Sequence, residues 1–284
     1  MSNDYSRRNF IKLTGLGIAA SSIKIFSNPL SEEYLGKNEN ASEKLKLSIT
    51  SYNFRDFKLE QVIQMTKRLD LSRISLKDMH LPLNSTKEEI EKAVSEIKDA
   101  GLELYGAGVI YMTNKDEVNN AFDYANAAGI RVMIGVPEHD LLPIVEEKVK
   151  GYNIKLAIHN HGPNDKRFPS PGSIYEKIKN MDKRMGICLD IGHAMRLGID
   201  PSDAFEKYHD RIFEIHLKDV SKAAENGNTI EIGRGVIDIP KFLKTLLKYD
   251  YSNTVAFEFE KDEKDPLPGI AESVGYVKGV LTLV

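Results

Sequence analysis

From Leu45 onward the chain alternates between short apolar runs and longer amphipathic stretches. The runs are KLSITSYNF, RISLKD, ELYGAGVIY, RVMIGVP, KLAIHNHG, GICLDIGH, IFEIHLKD and TVAFEFE. They are rich in Ile, Val, Leu and Phe and too short for buried helices, so they read as strands. Between them, stretches such as TKEEIEKAVSEIKDAG and DIPKFLKTLLKYD repeat apolar residues every three or four positions. That period belongs to a helix with one buried face. Gly101 and Gly129 stand where left-handed helix C-caps belong. Asp200–Pro201 opens another helix with proline in its first turn. GIAESVGYVKGVL completes a set of eight helices.

Eight strand–helix units over residues 45–284 predict an α/β fold of the (β/α)8 TIM-barrel type, which usually takes about 250 residues. A doubly wound open sheet normally carries a glycine-rich phosphate loop after its first strand. SITSYNFRDF contains no glycine, so the barrel is preferred.

Before Leu45 the pattern changes. SRRNFIKLTGLGIAASSIKIF pairs Arg7 with Arg8, adds Phe10 and Lys12, and continues into a Gly/Ala-rich stretch. Residues 1–28 are therefore expected to be a twin-arginine-type signal segment, read by the Tat export machinery and directing the folded chain to the periplasm. The apolar part is interrupted by Lys24 and is shorter than the roughly 20 residues of a membrane span. No membrane span is expected in the mature protein. Residues 29–44, PLSEEYLGKNENASEK, are polar and aperiodic and read as a linker.

Composition narrows the function. Of 284 residues, 41% are hydrophobic and 29% charged, an ordinary globular balance. A formal net charge of −3 lacks the basic excess of a nucleic-acid binder. The single cysteine, Cys188, excludes an internal disulfide and a thiolate metal cluster. Within GICLDIGH it reads as a buried, inert thiol.

A TIM barrel gathers its active site at the C-terminal ends of its strands. The fifth run ends in His159, Asn160 and His161; the sixth in Asp190, with His193 three residues on. The seventh carries His216, Lys218 and Asp219, the eighth Glu258 and Glu260, and the second Lys77, Asp78 and His80. Carboxylates and neutral imidazoles together suit a divalent ion such as Mn²⁺, Zn²⁺, Co²⁺ or Fe²⁺. Neighbouring strands lie about 4.8 Å apart, so ligands from consecutive strands can converge. In EIGRGVIDIP, Arg234 stands between Gly233 and Gly235. That loop reads either as a flexible lid with a substrate anchor or as an ordinary turn with a surface arginine.

LDIGH, EIHLKD and the final FEFE resemble the xylose isomerase-like TIM-barrel superfamily of sugar isomerases and epimerases, which also includes endonuclease IV. The resemblance covers the chain beyond the linker. It implies a metal held by Glu, Asp, His and Glu from strands five to eight. Asp190, His216 and Glu258 match the last three places, and His193 matches a histidine that contacts substrate or backs a ligand. At the first place stands His159, with His161 either sharing the ion or touching the sugar. Glu258, His193 and Lys218 are the expected catalytic residues; Lys77, His80, Asn160 and Arg234 are expected to bind substrate.

The resemblance implies a metal-dependent sugar isomerase, epimerase or lyase that removes a proton next to a sugar carbonyl. Family epimerases pair two glutamates across the intermediate. A histidine in place of one favours isomerisation or elimination over reversible epimerisation. Export favours a free sugar or keto-sugar as substrate. The alternatives are a non-catalytic sugar-binding barrel and an endonuclease IV-like hydrolase.

Overall fold

Residues 45–284 are described by a computed structural model. The expected signal segment and linker, residues 1–44, lie outside the described residues.

Eight parallel strands close into a barrel: β1 (Lys46–Thr50), β2 (Arg73–Leu76), β3 (Glu103–Met112), β4 (Val132–Pro137), β5 (Lys155–His159), β6 (Met185–Asp190), β7 (Ile212–Leu217) and β10 (Thr254–Phe257). The circular order is β1-β10-β7-β6-β5-β4-β3-β2, so each barrel strand lies between its neighbours in the chain. The connecting helices are α1 (Leu59–Arg68), α2 (Lys87–Asp99), α3 (Lys115–Ala127), α4 (Leu142–Tyr152), α5 (Pro171–Ile178), α7 (Pro201–Tyr208), α8 (Ile239–Lys248) and α9 (Leu267–Leu281). All eight helices read from the sequence are present. No helix among the described residues is long and apolar enough to cross a membrane.

Local chemistry sets the helix boundaries. Thr86 caps α2 by accepting from the Glu89 N–H, while the Glu89 carboxylate accepts from the Thr86 N–H. Asn114 and Asp200 cap α3 and α7 from one side only, their side chains accepting from first-turn N–H groups. Gly101 and Gly129 follow α2 and α3 with φ of +80° and +70°, the left-handed caps expected of them.

Two features are absent from the sequence reading. A short helix, α6 (Ile191–Arg196), begins at the end of β6, with Asp190 as its N-cap. Past β7, two short strands, β8 (Asp219–Val220) and β9 (Thr229–Ile230), form an antiparallel pair. The main core lies between barrel and helices, where Ile49, Ile74, Ile97, Phe122 and Phe242 are fully buried. Cys188 is buried with Ile134, Ala157 and Phe213, and burial pushes its thiol pKa well up. It is the inert thiol expected.

Candidate active site at the strand ends

Parallel pairing with alternating side chains brings the ends of the last four barrel strands to one place. The β6–β7 ladder shifts register between Ile187 and Cys188, which sets Asp190 level with His216. One ligand-type atom each from His159, Asp190, His216 and Glu258 then lies within 4.8 Å of all the others. All four residues are buried. His216 Nδ1 is 2.8 Å from Glu258 Oε2 and 3.1 Å from His159 Nε2, which is 3.5 Å from Asp190 Oδ2.

Two asparagines brace the carboxylates. Asn160 Nδ2 donates to the Asp190 carbonyl, and the Asp190 N–H donates to Asn160 Oδ1, each at 3.0 Å. Asn53 does the same on the other flank, donating to the Phe257 carbonyl at 2.8 Å and accepting from the Phe259 N–H. The backbone on both sides of Glu258 is thereby fixed. Asn160 supports a ligand candidate, which corrects its expected role in binding substrate.

Lys218 is also buried here, with Nζ 3.0 Å from Asp190 Oδ2, 3.2 Å from Glu260 Oε1 and 3.5 Å from Glu258 Oε1. Burial favours its neutral form, but these carboxylates outweigh burial and hold its pKa well above the usual lysine range. Burial would likewise raise Asp190 and Glu258. His193 and Lys218 hold Asp190 well below the carboxylate range, and His216 and Lys218 do the same for Glu258. Burial lowers His159, His161 and His193. It would lower His216 too, but the Glu258 carboxylate reverses the direction.

A cavity of about 300 Å³ opens over this cluster. His159, His161, His193, Glu258 and Glu260 line one side, and Tyr52, Lys77 and Tyr111 line the other. His161 is not one of the four, but its Nδ1 lies 3.4 Å from His159 Nδ1, while its Nε2 is 2.9 Å from the Tyr111 hydroxyl. Tyr52, Tyr111 and Asn53 escaped the sequence reading. The first two also stand at strand ends, a position that can be read from sequence, but tyrosine is not a ligand type.

The structure places two further expected residues elsewhere. His80 has Nδ1 2.9 Å from Ser51 Oγ and Nε2 3.0 Å from the Phe57 carbonyl. Both ring nitrogens thus hold the loop after β1, and the ring is not part of the cavity wall. Arg234 is exposed and pairs with Glu272. Nor is its loop a lid. Asp219 accepts from the N–H groups of Val220, Gly233, Gly235 and Ile237 at 2.8–3.2 Å. A Cβ on Gly235 would stand 2.0 Å from Asp219 Oδ1, so only glycine lets the chain wrap that carboxylate.

The xylose isomerase-like TIM barrel family matches residues 28–280. The chain belongs to this family. An inosose dehydratase of Geobacillus kaustophilus is 27% identical over 148 residues, 44% of each chain. A probable endonuclease 4 of Thermoplasma acidophilum is 38% identical over 74 residues, 22% of this chain and 26% of that protein. The chain thus spans less than half the length of these curated relatives. The crystal structure of an E. coli 3-keto-D-glucoside 4-epimerase shares the fold, with a TM-score of 0.68 and 13% identity over 83% of this chain and 99% of that one. The family's members named here are enzymes.

Proposed function

We infer that this protein is a metal-dependent enzyme that removes a proton from the carbon beside a sugar carbonyl, and that its reaction is an elimination. The observation that carries the reading is the convergence of His159, Asp190, His216 and Glu258 under one cavity. Two imidazoles and two carboxylates form a donor set that fits Mn²⁺, Zn²⁺, Co²⁺ or Fe²⁺. The fit has a second support. Asp190 Oδ2 is buried without a hydrogen bond of good geometry, although Lys218 Nζ lies 3.0 Å away. A divalent ion in that position supplies Lewis-acid polarisation of a carbonyl oxygen.

The protein's own groups account for the rest. Glu258, kept ionised by His216 and Lys218, is the base that faces the cavity. The Lys218 ammonium, fixed among three carboxylates, offers positive charge where the oxyanion develops. His193 caps the wall beside Asp190, its Nε2 3.8 Å from Asp190 Oδ2. A histidine at the first ligand place leaves no second glutamate for symmetric transfer, which favours elimination over epimerisation. One relative is named an inosose dehydratase, which favours elimination, whereas the epimerase of the same fold acts on a 3-keto-D-glucoside and bears on the substrate class alone.

The substrate class is thus a keto-cyclitol or keto-glycoside. Turnover in deuterated water tests the reading: the carbon beside the carbonyl must give its hydrogen up to solvent, seen as deuterium at that carbon in recovered substrate or as an unsaturated product that has lost that hydrogen. Direct hydrogen transfer without exchange overturns it. Export of the folded chain to the periplasm belongs to the same proposal. Replacing Arg7 and Arg8 by lysine and fractionating the cells tests that part.

A further inference from the structure

The side of the rim without ligand candidates holds one unmatched charge. Lys77 follows β2, which stands four strands from β6 in either direction round the closed barrel, across from Asp190. Among the described cavity-lining residues it is the one lysine or arginine. Its backbone N–H donates to Ser51 Oγ at 2.8 Å, and its Nζ donates to the Val109 carbonyl at 3.0 Å. Nζ also lies 5.6 Å from the centroid of the Tyr52 ring. Both ends of the residue are therefore held in place. Among the described residues it has no carboxylate within ion-pair distance, whereas Lys218 has three. An ammonium has three N–H donors, so two remain for whatever fills the cavity. Burial pulls its pKa below the usual lysine range, against the charges of Glu258, Asp78 and Glu260. That eases proton donation.

In an elimination the carbonyl oxygen belongs at the ligand cluster, and the departing oxygen sits on the second carbon away from the carbonyl. A substrate bound by its carbonyl at β5–β10 and reaching across the cavity presents that oxygen to the β1–β3 side, which Lys77 lines. We propose that Lys77 is the general acid that protonates the departing oxygen. The proposal rests on the elimination reading above. Glu258 takes the proton from the carbon beside the carbonyl. The electron pair of that C–H bond becomes the new C=C bond, and the C–O bond breaks with its pair going to oxygen. A proton from Lys77 Nζ completes the alcohol or water, leaving a neutral amine that solvent reprotonates.

The test uses the full chain with Mn²⁺ and two probes, methyl and 4-nitrophenyl 3-keto-β-D-glucoside. Methoxide needs a proton in order to leave, whereas 4-nitrophenolate leaves as a stable anion. Lys77→Met is expected to lose about 10²–10⁴-fold on the methyl probe, the usual contribution of a general acid, and under about tenfold on the nitrophenyl probe. Activity on the second probe also shows that the variant is folded. Deuterium exchange beside the carbonyl of the methyl probe is expected to persist. Lys77→Arg keeps the charge but not a transferable proton, so it is expected to stay impaired on the methyl probe. Equal losses on both probes, or full rescue by arginine, overturn the acid role. Absence of both exchange and released methanol or 4-nitrophenol in the native protein overturns the elimination reading, and the acid role with it.

Discussion

The two sides of the barrel rim treat a lysine in opposite ways, one buried and the other half-buried. On the β5–β10 side, Lys218 is enclosed by three carboxylates, and its charge is locked by them. On the β1–β3 side, Lys77 has a backbone carbonyl and an aromatic ring but, among the described residues, no counter-ion. The first environment fixes charge and geometry before substrate arrives. The second leaves a charge to be satisfied by substrate. One side is thus built to hold and stabilise, the other to complete a reaction.

The sharpest way to break this contrast is at Asp190. Asp190→Ala removes the carboxylate that both faces the cluster and caps α6. Metal analysis is expected to find the site empty, with activity down by about 10³-fold or more, because a four-donor site that loses a charged ligand retains little affinity. Full metal occupancy in the variant would refute the ligand assignment.

Next comes Lys218→Met. It leaves Asp190, Glu258 and Glu260 facing one another without their cation, and breaking such a buried cluster costs about 3–5 kcal/mol. Thermal unfolding of the metal-free variant is expected to fall accordingly. Added Mn²⁺ is expected to restore more stability to the variant than to the native chain, since it replaces the missing charge. An equal shift in both would show that lysine and metal do not share the carboxylates.

The braces come third. Asn160→Ala and Asn53→Ala each free a backbone segment next to a ligand candidate, and loss of such supporting contacts typically weakens metal affinity about 10–100-fold. Titration with Mn²⁺ measures it. Unchanged affinity would mean that the strand ends hold their carboxylates unaided.

A smaller effect is expected deeper in the barrel, at Glu214. Its carboxyl accepts from the Tyr105 hydroxyl at 2.7 Å and is fully buried, and burial pushes its pKa up to about 8. The folded chain keeps a proton that the unfolded chain releases near the ordinary 4.5. Stability from this group is therefore complete below that value and is lost as pH rises through about 8. Glu214→Gln stays neutral throughout. Between pH 6 and 9 the native chain is expected to lose on the order of 2 kcal/mol more than this variant. Parallel denaturation curves at the two pH values would show that Glu214 is ionised throughout. The smallest change is expected at Arg234→Ala, whose exposed pair with Glu272 is worth ~0–1 kcal/mol, with kcat/KM unchanged.

Much of the site is legible in the sequence, because the ends of apolar runs are local features. The alternation of runs and helical stretches determined the eight units, and turn chemistry at Gly101, Gly129, Asp200 and Thr86 determined where helices begin and stop. Asp190, His216 and Glu258 followed from standing at those ends, and the family resemblance gave them a role. What tertiary structure alone decided is where each side chain at an end points. His159 and His161 have the same parity, yet only His159 is one of the four converging residues, while His161 lies between His159 and the Tyr111 hydroxyl from β3. His80 turns to serve the loop after β1, Asn160 and Asn53 serve the ligand strands, and Asp219 gathers a loop about itself. Each choice depends on which backbone groups or hydroxyls the folded chain brings within reach. A buried polar side chain goes to whichever unsatisfied partner is in reach, and that partner is set by register and closure of the barrel.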